Sequence, residues 1–95
     1  MGISVNGRLP IKVTAARFIS ADQVSVIGVI LTNLVAGVGQ AVVQDANNND
    51  LVTLNTTATG GVSGVMFPTP IAMNGLSVPA FSGTGAILYI YLADV

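Results

Sequence analysis

In several stretches of this chain apolar and polar residues alternate with a period of two. Ile11, Val13 and Ala15 alternate with Lys12 and Thr14, and the phase then shifts so that Ala16 and Phe18 flank Arg17. Such alternation describes a strand with one buried face, and a phase shift within it is what a bulge produces. A strand is therefore predicted over 11–19. A second covers 23–34, where Val24 and Val26 alternate with Gln23 and Ser25 before both faces turn apolar. Strands over 39–45 and 51–57 flank Ala46-Asn47-Asn48-Asn49-Asp50, a polar hairpin tip whose Asn residues tolerate left-handed backbone. Residues 65–73 read as extended, with Pro68 and Pro70 confining them to an edge or an irregular crossing. Asn74-Gly75 is the strongest short hairpin signal in the chain and predicts a turn into a brief strand over 76–78. The last strand, 86–92, is apolar on both faces, which requires a cover on each.

No helical periodicity is sustained anywhere. About seven short strands separated by Gly, Asn and Pro predict an all-β fold, a small antiparallel β-sandwich or jelly-roll-like barrel. The domain is expected over 11–95, preceded by an N-terminal arm, 1–10. One competing reading needs an answer. Residues 24–43 carry no charge across twenty positions, the length of a membrane-spanning helix. Val24, Val26, Ile27, Val29 and Ile30 favour strand, however, and Gly37 and Gly39 place a turn near 36–39. Asp22 and Asp45 flank the segment, with no Trp, Tyr, Lys or Arg close by to anchor it at the headgroups. A membrane location is not expected.

Composition sharpens the problem. Of 95 residues, 52% are hydrophobic and only seven are charged, against about a quarter charged in an ordinary soluble domain. A chain of this size hides only roughly 60–65% of the surface its unfolded form exposes. The apolar excess therefore calls for cover by other protein. The wet surface must come mainly from 24 uncharged Ser, Thr, Asn and Gln residues, which repel one another little when identical copies sit side by side. A closed homo-oligomer, a trimer by preference, would cover strand faces that are otherwise prone to aggregate. The net charge of −1 gives no footprint for nucleic acid.

Candidate chemistry is sparse. The chain lacks Cys, His and Glu, which removes thiolate ligands and the commonest general base. No enzyme activity, cofactor or metal is expected. Residues 45–50 echo the start of a calcium loop, but Asp50 and Thr56 stand where that loop needs Gly and Glu, so a solvated tip is the better reading. Asn55-Thr56-Thr57 matches a glycosylation sequon without an accompanying secretion signal. The N-terminus predicts an unprocessed, cytoplasmically made product. Tyr89 and Tyr91 share one face of the last strand, and amphipathic aromatics are favoured at interfaces. With Val24, Val26 and Phe81 they form the predicted self-association surface. Arg8 and Lys12 would let the arm lie along a partner.

The run Phe67-Pro68-Thr69-Pro70-Ile71-Ala72-Met73-Asn74-Gly75-Leu76-Ser77-Val78 resembles the C-terminal half of small virion proteins of tailed bacteriophages. There, an extended segment leads into a Gly-Leu turn and a final strand, here 86–92. Val42-Val43-Gln44-Asp45, running into its polar tip, is similar too. The resemblance covers roughly residues 41–95 and implies a compact β-module that decorates or cements a capsid, often as a trimer, or serves as a head fibre or tail subunit. It implies a structural role at the virion surface, with the major capsid protein as partner and no catalytic residues. The alternatives are a virion adhesive or glycan-binding module, in which the Tyr residues would stack on sugar, and the small membrane protein weighed above.

Overall fold

The computed structural model describes residues 10–33, 38–56 and 61–93. They form six strands: β1 (Ile11–Val13), β2 (Arg17–Asn33), β3 (Gly39–Gln44), β4 (Asp50–Thr56), β5 (Gly61–Ser82) and β6 (Ala86–Leu92). All pair antiparallel in one sheet of order β1-β6-β2-β5-β3-β4. The all-β expectation holds. The count is six rather than about seven, and the strands belong to a single sheet rather than to the two of a sandwich.

Two long strands account for the difference. β2 pairs with β5 along nearly its whole length, from Asn33 opposite Gly61 to Arg17 opposite Val78. β6 flanks the second half of β2, from Val26 to Asn33, and β3 flanks the last third of β5. The sheet thus has two halves sharing one ribbon. The first half is β1, β6, the later part of β2 and the earlier part of β5. The second is the remainder of that ribbon with β3 and β4. The halves face each other, because β2 approaches β3 and β4 without being their neighbour in the sheet. One core lies between them, in which Val26, Val29, Leu31, Leu88 and Ile90 meet Ala41, Val43, Leu76 and Val78 at zero exposure. With no helix among the described residues, the sheet is its own cover.

Bulges make the fold-over. Between Val26 and Gly28 on β2 the partner jumps from Ile71 to Met66, so residues 67–70 of β5 leave the ladder. Pro68 and Pro70 sit in this excursion, where no ladder hydrogen bond is asked of them. Further along, the partner of Ser20 is Leu76 and that of Gln23 is Asn74. Asn74-Gly75, predicted as a hairpin, is therefore an irregularity inside β5. Gly75 has φ 97°, and its bulge converts the buried positions from Met73 to Leu76 and Val78. The segments predicted at 65–73 and 76–78 are accordingly one strand. At the other end, the strand predicted over 11–19 is broken at 14–16, and β1 pairs with β6 instead.

The polar hairpin tip forms as predicted, with Asn48 at φ 66°. The 24–43 segment runs as strand over 24–33 and 39–43, which overturns the membrane helix there. No helix among the described residues is long and apolar enough to cross a membrane.

Candidate functional site

In an antiparallel pair, directly opposed residues project to the same face. The register of the first half-sheet therefore defines its outer face row by row. Lys12, Tyr89, Ile30 and Gly64 stand opposite one another across β1, β6, β2 and β5. On one side of this row lie Ile87, Thr32 and Val62; on the other, Tyr91, Gly28 and Met66. The alternate residues Leu88, Ile90, Val29 and Leu31 fill the core. The bulge after Val26 matters here, since it lets Val26 and Val29 both point inward and turns Gly28 outward.

This outer face is apolar and weakly covered. Ile30, Ile87, Tyr89 and Tyr91 are half-buried, while Val62 and Met66 are 68% and 55% exposed. An open depression of about 340 Å³ is lined by Ile30, Val62, Gly64, Val65 and Met66. Thr32 spends its hydroxyl on the Ile87 carbonyl, 3.4 Å away. Lys12, exposed at the margin, is the single charged side chain in these rows. The other described charges belong to the second half of the sheet: Arg17 and Asp22 on the early part of β2, Asp45 and Asp50 at the β3–β4 tip.

Of the residues predicted for self-association, Tyr89 and Tyr91 lie on this face. Val26 is fully buried inside the chain's own core, so it has no surface to offer, which corrects that assignment. Val24 and Phe81 are half-buried and pack against the same core. Lys12 stands next to Tyr89 in β1, within the sheet rather than on an arm. Arg8 lies outside the described residues. Ile30, Val62, Gly64 and Met66 escaped the sequence reading. The alternation Val62-x-Gly64-x-Met66 is the available signal, and most of it precedes a strand that begins at residue 65.

The hairpin tip is the other polar feature. The Asp45 carboxylate accepts from the backbone N–H groups of Asn47 and Asn49, at 2.8 and 2.9 Å, and from the Asn49 side-chain amide at 3.0 Å. These bonds, the Asn49 side chain foremost, hold its pKa below the ordinary carboxylate value. Asp50 accepts from the Gln44 amide. The oxygens of Asp45 are thus engaged in shaping the turn. Among the described residues no group of three or more acidic, His or Cys side chains converges as a metal site would.

No protein-family model matches the chain, and neither the curated proteins nor the solved structures contain a match.

Proposed function

We propose that this chain is a structural assembly subunit, and that its setting is the surface of a tailed-phage head, where it acts as a capsid decoration (cement) protein. The observation that carries the reading is the outer face of β1-β6-β2-β5, apolar over three rows and charged only at Lys12. Contiguous exposed apolar surface of this kind marks an association site. Copies associate through it to form a closed oligomer, for which a trimer is the favoured size, and the oligomer binds the major capsid protein. The work done is mass action: a partner that binds only the assembled shell stabilises it in proportion to occupancy. The virion setting rests on the resemblance of residues 67–78, the oligomer on the face.

The test is the solution mass of the purified chain by size exclusion with light scattering, beside that of Tyr89→Asp. A discrete multiple of 9.6 kDa that drops in the variant supports association through the face. A monomeric parent chain overturns it. Co-sedimentation with tailed-phage capsids tests the setting, and its failure across capsids refutes the cement role.

A further inference from the structure

The first half-sheet ends on one side in β5. Among the described residues no strand pairs with the other edge of β5 between Gly61 and Met73. Residues 61–67, Gly-Val-Ser-Gly-Val-Met-Phe, contain neither charge nor Pro, the usual devices that blunt an open edge. Their N–H and C=O groups on that side form a template for another strand.

We infer that the occupant is the same segment of a second copy, paired antiparallel about a two-fold axis at Gly64. This deepens the assembly reading above and rests on it. Two observations select a second copy. First, the run is its own complement. Antiparallel pairing centred on Gly64 sets Val62 of each copy opposite Met66 of the other, with the two Gly64 residues face to face. The two most exposed large apolar side chains of this edge then cover each other twice over, as an isologous contact requires. Second, no residue from Leu51 to Ala93 is charged, so identical copies meet here without like-charge repulsion. Pairing also makes one continuous sheet of two half-sheets, and joins the two outer apolar faces edge to edge. The contact being two-fold, the oligomer contains an even number of chains; three-fold units linked by it would be hexamers.

Two double variants test the register, each checked for a strand-type circular dichroism spectrum. Both variants put two charges on the outer face, so any loss of association through that face is common to the two, and only pairing about Gly64 tells them apart. Val62→Lys/Met66→Asp places opposite charges across the axis and is expected to keep twice the mass in light scattering that Val62→Lys/Met66→Lys, with like charges there, keeps. If the two variants have the same mass, the β5 pairing is wrong, and assembly through the outer face is judged from the parent chain and Tyr89→Asp. If the parent chain itself is monomeric, both readings fall. Should the charged variants misfold, Val62→Cys/Met66→Cys answers the same question in a chain with no other Cys. Opposed strand positions bring Cβ atoms within about 4.5–5.5 Å, within the span of a short bifunctional thiol cross-linker. A covalent dimer on a non-reducing gel is expected, and a persistent monomer overturns the proposal.

Discussion

The side chain of Met66 lies across the backbone of Gly28. A methyl group built on Gly28 would strike Sδ of Met66 and come within 2.7 Å of its Cε. Gly64, two residues away on β5, is crowded differently, since a methyl there would sit 2.7 Å from the Val29 carbonyl oxygen and 3.0 Å from Cα of Ile30. A thioether can swing aside and a strand backbone cannot. Gly64→Ala is therefore expected to cost ~1–3 kcal/mol, the usual range for overpacking, and Gly28→Ala distinctly less. Paired denaturant titrations decide the order.

Buried Thr56 closes the far end of the β3–β4 pair, its Oγ1 accepting from the Gly39 N–H at 3.0 Å. Thr56→Val keeps the shape and removes the acceptor. An orphaned buried donor costs about 1–3 kcal/mol, so thermal unfolding should begin several degrees lower. An unchanged midpoint would mean that the N–H finds another acceptor.

Gly75 joins the hairpin tip to the middle of β5. Its φ of 97° disfavours any side chain, and a methyl there would lie 2.5 Å from Cβ of Ala46 and 2.9 Å from the Ser20 carbonyl oxygen. Beside it the Ala46 N–H donates to the Asn74 carbonyl at 3.0 Å. Gly75→Ala is expected to destabilise by ~1–3 kcal/mol and to speed hydrogen exchange at the Ala46 amide more than at β6 amides. Uniform acceleration would place the damage elsewhere.

The lowered pKa of Asp45 carries a pH dependence of definite sign. A carboxyl that is more acidic in the folded chain stabilises fully above its unfolded value, and that contribution disappears as pH falls through the folded value. Acid should therefore loosen the tip first, releasing the Asn49 side-chain amide. NMR shifts of Asn49 followed from neutral to acid pH check this, and Asp45→Ala should show no such titration.

Local pattern revealed what is local. β3, β4 and β6 were legible because each is a short run of strand-favouring residues between clear breaks, and because Asn-rich tips turn for reasons contained in a few residues. β2 and β5 were not, since their lengths depend on whom they pair with. A glycine at positive φ serves a hairpin or a bulge equally well, and only the partners of Gln23 and Ser20 decide that Gly75 does the second. Pro68 and Pro70 pointed to an edge or an irregular crossing, and within the long ribbon they mark where it leaves its ladder. The Tyr pair could be placed on a face from period two alone. Its companions Val62 and Met66 could not, because their face is set by a register with β2 that no local signal encodes.

The position of β6 has a consequence during synthesis. β6, the last of the described strands, inserts between β1, the first of them, and β2. Until Leu92 has left the ribosome, β1 lacks its partner among the described strands and the apolar later half of β2 keeps the edge that β6 covers bare. The nascent chain must therefore wait with its stickiest strand half unclothed, and a premature stop before Ala86 would release a product suited to clumping rather than to folding.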